Sequence, residues 1–197
     1  MSVLGDLAGE VAVNERTLRR AAALGLIRAQ RPSSRRLVLA EGEDDWVRSH
    51  WPLVGRLLAA LRTEPNVELA VLFGSVARGT ALGGASDVDL LVGLRQSEPG
   101  ALEALRLRLV AQTHFDVELV PLPTAEGNPQ LLYEILRDGR PLVDRADAWP
   151  SLQARRGLTQ VEAENEGRAL RKEAHEAVGY FQRLAAARVS QPRLAGR

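Results

Sequence analysis

Apolar and polar positions follow their most informative pattern in the middle of the chain. A nearly unbroken apolar run over residues 67–73 stops at Gly74-Ser75, which predicts a buried strand that enters a tight turn. Residues 87–92 alternate once and then become apolar, which predicts a second strand. Because side chains two residues apart share one face of a strand, we expect Asp87 and Asp89 to point the same way.

The paired carboxylates and the turn before them predict a site for a metal ion and a phosphate. Neighbouring carboxylates repel each other unless a cation lies between them, and Mg²⁺ is commonly held by one or two carboxylates together with substrate phosphates. The backbone N–H groups of the Gly74-Ser75 turn and the Ser75 hydroxyl are suited to binding a triphosphate.

A third strand is predicted over residues 115–121, where apolar and acidic positions alternate. Asp116 and Glu118 share one face of this strand, opposite its apolar side chains. We therefore expect a third carboxylate for the same site from this strand, and the alternation alone leaves both acids open. Apolar residues at helical spacing predict a helix over residues 99–113, and a further helix is predicted over residues 128–138.

The first 40 residues have the pattern of a helix-turn-helix unit. A short helix is predicted over residues 3–10, and Asn14 is a suitable N-cap for a second helix that ends near Gly25. In helix-turn-helix proteins the second helix enters the major groove of DNA. A β-hairpin is predicted next, over residues 26–39.

Basic side chains are concentrated in the same segment, which holds seven arginines and three acidic residues in a chain of net charge +1. The segment resembles winged helix-turn-helix proteins, loosely of the MerR kind, and this resemblance implies a DNA-binding surface. The residues expected to contact DNA are Arg16, Arg19, Arg20, Arg31, Arg35 and Arg36. The alternative is a small helical-hairpin domain used for dimerisation, with the arginines as a solvated face.

Two further helices are predicted on either side of the central region. The first covers residues 41–63, is acidic in its first turn as the helix dipole favours, and is kinked or divided at Pro52. The second runs from Thr159 to about Ala187, and its apolar stripe must be buried on this chain or on a partner. The predicted divisions are a winged helix-turn-helix-like domain (1–40), a connector helix (41–63), a central domain (64–148) and a helical extension (149–197).

Composition narrows the class of protein. The chain has 197 residues, 45% of them hydrophobic and 26% charged, which is ordinary for a globular protein. It has no cysteine, and therefore no disulfides and no thiolate metal site. Its apolar runs are too short to span a bilayer and its amino terminus lacks the basic start of a signal peptide, so we expect a cytoplasmic protein with no membrane partner.

The central motif resembles the nucleotidyltransferase superfamily that includes DNA polymerase beta and, most closely, the minimal nucleotidyltransferases. Their shared pattern is Gly-Ser, a spacer of about ten residues, Asp-x-Asp and a later carboxylate; here Gly74-Ser75 precedes Asp87-Val88-Asp89. The flanking residues Ala77-Arg78-Gly79 and Ser86 also match. The resemblance implies an α+β fold: a small mixed-sheet core with helices, preceded by the mainly helical winged helix-turn-helix domain and followed by a C-terminal helix.

The resemblance also implies roles for individual residues. Asp87, Asp89 and Asp116 are the expected catalytic and metal-binding residues, for two Mg²⁺ ions. Asp116 is favoured because the string after it matches the family, with Glu118 as the alternative if the register shifts. The expected nucleotide-binding residues are Gly74, Ser75, Arg78 and Ser86.

The implied reaction is transfer of AMP from ATP to a hydroxyl group. For a minimal nucleotidyltransferase of this size the favoured acceptor is a protein, a HEPN-type toxin, and a DNA-binding head would suit an antitoxin that represses its own operon. The alternatives are a small-molecule adenylyltransferase of the aminoglycoside type and a nucleotide-sensing transcription regulator without catalysis. A homo-oligomer is compatible with the apolar stripe of the last helix, and the base preference and the DNA site stay open.

Overall fold

The computed structural model describes residues 3–33, 36–80 and 87–189. Its N-terminal part consists of two helices, α1 (Val3–Glu10) and α2 (Glu15–Leu24), and an antiparallel hairpin of β1 (Ala29–Ser33) and β2 (Arg36–Leu39). Both predicted ends of α2 are present: the Asn14 side chain accepts a hydrogen bond from the Arg16 N–H at 2.8 Å, and Gly25 ends the helix at a φ of 93°. The winged helix-turn-helix assignment itself stays a prediction.

The central region is a four-stranded mixed sheet, which confirms the predicted α+β class. The strands stand in the order β5-β4-β3-β6, with β3 antiparallel to both of its neighbours and β4 parallel to β5. The strands are β3 (Val67–Phe73), β4 (Val88–Leu94), β5 (Val117–Pro121) and β6 (Arg140–Asp144). The helices from the connector onward are α3 (Glu43–Arg62), α4 (Gly74–Arg78), α5 (Ala101–Thr113), α6 (Leu122–Glu126), α7 (Pro129–Asp138), α8 (Ala148–Ala154) and α9 (Arg156–Val189).

The sheet separates two hydrophobic cores, because successive residues of β3 face opposite sides. Ala70 and Leu72 belong to the core shared with α1, α2, α3 and α5, whereas Val71 and Phe73 belong to the core shared with α7 and α8. The N-terminal helices thus pack into the same core as the sheet. The connector is a single helix that contains Pro52, so it is not divided in two.

The last helix begins earlier than its sequence predicts. The predicted N-cap, Thr159, lies inside α9, where its hydroxyl donates to the Arg155 carbonyl at 3.1 Å, because α9 follows α8 with a single residue between them. Thr159 and Ala163 are buried where α9 lies along α7, but all side chains from residue 168 to residue 175 are exposed. No helix within the described ranges is both long enough and apolar enough to cross a membrane.

A buried ion pair joins the N-terminal part to the sheet. Arg140 on β6 and Glu43 at the start of α3 form a two-pronged contact, with 3.0 Å between Arg140 Nη2 and Glu43 Oε2. Arg140 also donates to the carbonyl groups of Ala77 at 2.7 Å and Leu26 at 2.9 Å. Its guanidinium carbon lies 3.6 Å from the centre of the Trp46 ring. Burial lowers the pKa of Arg140, and Glu43 opposes that shift.

Replacing Glu43 with glutamine is expected to lower the free energy of unfolding by about 3–5 kcal/mol, because the Arg140 charge would stay buried without its counter-ion. Urea denaturation followed by circular dichroism measures the change. The matched control is Glu103→Gln, whose carboxylate pairs with Arg106 on the exposed surface of α5 and should leave the midpoint unchanged. Equal midpoints for Glu43→Gln and the wild-type chain would contradict the expectation.

Candidate active site

The predicted phosphate-binding turn lies directly against one of the predicted carboxylates. β3 ends at Phe73, and Gly74 opens α4 with a φ of 71°, a backbone conformation that favours glycine. A Cβ atom at Gly74 would overlap with Oδ2 of Asp89. The close approach of the turn to Asp89 therefore requires glycine on two independent grounds. Ser75 follows, and its carbonyl accepts a hydrogen bond from the Thr80 N–H at 3.0 Å.

The register of two parallel strands brings the acidic residues together. In the pairing of β4 with β5, Asp89 is directly opposite Glu118, so their side chains share one face of the sheet. Asp87 and Asp116 immediately precede β4 and β5, and the Asp116 carbonyl accepts a hydrogen bond from the Val88 N–H at 2.9 Å. Asp89 is half-buried, whereas Asp87, Asp116 and Glu118 are exposed.

Asp89 lies in an environment that disfavours its charged form. Burial raises the pKa of its carboxyl group, and the neighbouring charges of Glu118 and Asp87 raise it further. The Arg78 guanidinium acts in the opposite direction. The charges of Asp87 and Glu118 thus act against the charge of Asp89, and among the described residues Arg78 is the cation that moderates their effect on it.

A cleft of about 420 Å³ opens beside the carboxylates, between β5 and α5. Asp87, Asp116 and Glu118 line it, together with Glu103 and Arg106 of α5. Arg106 is held by Glu103, with 2.8 Å between Nη2 and Oε1. The pKa of Arg106 is raised mainly by Glu103 and to a smaller extent by Asp116. Asp116 thus has a basic neighbour within the cleft, whereas Glu118 faces Asp89.

Arg78, predicted to bind nucleotide, is the last residue of α4. Its Nη1 lies 3.6 Å from Oδ2 of Asp138, the last residue of α7. Sequence reasoning missed Asp138, because no pattern in the chain links it to a turn about 60 residues earlier. The remaining predicted nucleotide-binding residue, Ser86, lies outside the described residues, as does Arg35 of the predicted DNA-binding set.

The carboxylates of this cluster suit a divalent cation that is held by two of them. In the part of the chain that the structure covers, no group of three or more histidine, aspartate or glutamate side chains has the arrangement of a preformed metal site. Asp87 and Asp89 nevertheless offer hard oxygen atoms, which suit Mg²⁺ with phosphates and water as further ligands. A cation there would also relieve the repulsion that raises the pKa of Asp89.

The predicted DNA-binding residues that the structure describes lie far along the chain from this cluster. Arg16, Arg19 and Arg20 are exposed on α2, opposite its buried residues, and Arg19 pairs with Glu15 at 2.5 Å. Arg31 is exposed on β1. Arg36 begins β2. The described members of the set thus belong to the second helix and the hairpin, the two elements that the sequence assigns to DNA.

A comparison with protein families identifies the central region. Residues 56–148 match the family model described as "Polymerase beta, Nucleotidyltransferase". This segment includes the Gly74 turn together with Asp87, Asp89, Asp116 and Glu118, and the match confirms the nucleotidyltransferase resemblance of the central motif and the enzyme class predicted from the sequence. Residues 56–148 therefore form a nucleotidyltransferase domain of the polymerase beta family. Among curated proteins, no sequence is significantly similar to this chain.

Several solved structures are similar to part of this chain. One chain of a toxin–antitoxin crystal structure with AMP-PNP is 23% identical, covers 66% of this chain and 98% of its own length, and has a TM-score of 0.44. A chain from a tri-AMPylated Shewanella oneidensis HEPN toxin in complex with an MNT antitoxin is 21% identical, with coverages of 68% and 98% and a TM-score of 0.42. A chain from the toxin–antitoxin MntA–HepT is 21% identical, with coverages of 66% and 97% and a TM-score of 0.40.

In metal-free buffer, replacing Asp89 with asparagine is expected to raise the urea midpoint at pH 7. The pKa of Asp89 lies above its ordinary value of 3.8 in the folded chain, so its ionisation on raising the pH costs stability. The advantage of the variant should shrink as the pH falls and vanish below 3.8, where the carboxyl is protonated in both states.

The control for this pH dependence is Asp147→Asn, which removes an exposed carboxylate at the start of α8 that does not act on Asp89. Unfolding is followed from pH 3 to pH 8 for all three chains. A midpoint difference between Asp89→Asn and the wild-type chain that is independent of pH would contradict the charge-cluster interpretation.

Proposed function

We propose that the chain transfers AMP from ATP to a hydroxyl group of a protein, and that it acts as an antitoxin towards a HEPN-type toxin. The observation that carries the proposal is the contact of the Gly74 turn with Asp89, inside a cluster of carboxylates in a domain of the nucleotidyltransferase family. That arrangement offers N–H donors for phosphate and oxygen ligands for a cation at one place.

Asp87 and Asp89 are the residues that would hold Mg²⁺. The chemistry that the metal supplies when bound is polarisation of the α-phosphate and stabilisation of the charge on departing pyrophosphate. The backbone of Gly74 and the Ser75 hydroxyl bind the β- and γ-phosphates, and Ser86 belongs to the same proposed set. Arg78, whose charge acts on Asp89, offsets negative charge on the triphosphate.

Glu118 is the better candidate for the third carboxylate. It lies directly opposite Asp89 in the sheet, and its charge raises the pKa of Asp89 more than the charge of Asp87 does. Asp116, which the local string favours, precedes the strand and shares its part of the cleft with Arg106. A carboxylate at the Glu118 position can accept the proton of the acceptor hydroxyl while that oxygen is held near the metal ligands.

The position of this strand supports a protein acceptor. β5 is the edge strand of the sheet, and Glu118 is exposed in an open cleft along it. A hydroxyl presented by a segment of another protein can approach along this edge without any movement of the core. One solved structure of related fold contains a tri-AMPylated HEPN toxin with an MNT antitoxin, and the acceptor proposed for this chain is of that kind.

Incubation with α-labelled ATP, Mg²⁺ and a HEPN-type protein from the neighbouring gene is expected to label the HEPN-type protein. Glu118→Gln should slow labelling by about 10²–10⁴-fold, the usual contribution of a general base. The matched control is Asp116→Asn, two residues earlier in the chain, which should slow labelling by less than about tenfold. The double variant Asp87→Asn, Asp89→Asn should abolish it.

If Asp116→Asn slows labelling more than Glu118→Gln does, Asp116 and not Glu118 is the third carboxylate. Label on a small molecule and never on protein would favour the aminoglycoside-type alternative. Failure of the wild-type chain to transfer label with any nucleotide, while it still binds nucleotide, would overturn the enzymatic proposal and favour a nucleotide-sensing regulator.

We further propose that the N-terminal part binds DNA. The supporting observation is that α2 buries Leu18 and Ala21 and exposes three arginines on its other side. An exposed arginine face on the second helix of a helix-turn-helix arrangement is suited to contact phosphates and base edges in the major groove. An antitoxin with this surface would repress its own operon.

The double variant Arg16→Gln, Arg20→Gln is expected to weaken binding to the DNA upstream of its own gene and to reduce the slope of log affinity against log salt by about 2. Fluorescence anisotropy at several salt concentrations measures both quantities. The matched control is Arg168→Gln, Arg171→Gln, which removes the same charge from the exposed part of α9. Equal losses in the two double variants would indicate non-specific attraction only.

A further inference from the structure

Asp138 has an unusual position for a carboxylate. It is the last residue of α7, and its side chain is only 14% exposed. A negative charge at the C-terminus of a helix is unfavourable, because the carbonyl ends of the backbone dipoles collect there. An acidic residue that the helix itself disfavours needs compensation from its surroundings.

Three arginines from three parts of the chain supply this compensation. Arg137 grips both carboxylate oxygens, at 3.1 Å from Nε to Oδ1 and 2.7 Å from Nη2 to Oδ2. Arg28, between α2 and β1, donates to the Asp138 carbonyl at 2.9 Å. Arg78 approaches Oδ2 at 3.6 Å, a distance without a hydrogen bond. Together these arginines lower the pKa of Asp138, with Arg137 as the main cause.

Arg78 therefore interacts with two acidic groups. It faces Asp138 at 3.6 Å, and its charge also acts on Asp89 in the carboxylate cluster. The contact with Asp138 joins α4, which carries the Gly74 turn, to the end of α7. The two hydrogen bonds from Arg137 restrain the Asp138 carboxylate in its position beside Arg78.

We propose that Asp138 is a positioning residue that holds Arg78 ready for the triphosphate. The inference rests on the proposed function, because it assigns Arg78 to the nucleotide. A free arginine side chain loses considerable rotamer freedom when it binds, and an ion pair that restrains it beforehand removes part of that cost. At 3.6 Å the restraint is loose, and phosphate oxygens, which form shorter charge-assisted bonds, can take over the guanidinium.

Asp138→Asn tests the inference, with binding of ATP and Mg²⁺ measured by isothermal titration calorimetry. The asparagine retains an oxygen for Arg137 and removes the charge that faces Arg78. The dissociation constant of ATP is expected to rise about three- to tenfold, as for loss of one partly buried ion pair. The melting temperature should fall slightly, because the lowered pKa of Asp138 means that the folded chain favours its charged form.

A double-mutant cycle separates positioning from a general structural effect. In the Arg78→Gln background, Asp138→Asn should leave the dissociation constant unchanged, because the group it acts through is absent. With Arg78 present, the single variant Asp138→Glu should keep most of the wild-type affinity for ATP, because it retains the negative charge. The matched control is Glu134→Gln, an exposed acid one turn earlier on α7, which should have no effect.

Two results would overturn the inference in distinguishable ways. If Arg78→Gln leaves ATP affinity unchanged, Arg78 does not contact the nucleotide, and this part of the proposed function fails together with the inference. If Arg78→Gln weakens ATP binding while Asp138→Asn has no effect, or has the same effect with and without Arg78, only the positioning role fails.

Discussion

The structure depends on the buried pair of Arg140 and Glu43. Taking both charges out of water is costly, so the pair is tolerated only if its hydrogen-bonding capacity is used. Its geometry meets that condition: Arg140 also donates to Ala77 and Leu26, and Glu43 accepts from the Arg28 N–H at 2.8 Å. No side-chain polar atom buried in the described parts of the chain lacks a hydrogen-bond partner. Because its hydrogen-bonding capacity is used, the pair can be buried without an unpaired charge.

The arrangement that this pair fixes is that of the Gly74 turn. Two carbonyl groups near the end of α4 accept side-chain hydrogen bonds. The Ala77 carbonyl accepts from Arg140 at 2.7 Å, and the Val76 carbonyl accepts from the Trp46 indole N–H at 2.9 Å. The front of the same short helix lies against Asp89. The turn is thus held between a buried polar network and the carboxylate cluster. Its position is set by α3 and β6, elements that contribute nothing to the chemistry directly.

Local signals predicted the elements and the first two carboxylates, but not the contacts between distant segments. The abrupt end of an apolar run marked the Gly74 turn, and the Asn14 cap and Gly25 marked α2, because each depends on neighbours in the sequence. The acidic first turn of α3 was predicted and is present, but nothing local predicts that Glu43 within it is buried against Arg140. Likewise, the choice between Asp116 and Glu118 depends on the register of β5 against β4, which pairs residues about 30 positions apart.

Repulsion within the carboxylate cluster costs the fold stability. Burial and two like charges act on Asp89 and disfavour its charged form. Such local conflicts are characteristic of functional sites, where a stable scaffold holds groups in positions that they would not adopt alone. Whatever neutralises these charges binds the folded chain in preference to the unfolded one, and so must stabilise the fold. The same repulsion that weakens the free protein thereby adds to its affinity for a cation and the phosphates that accompany it.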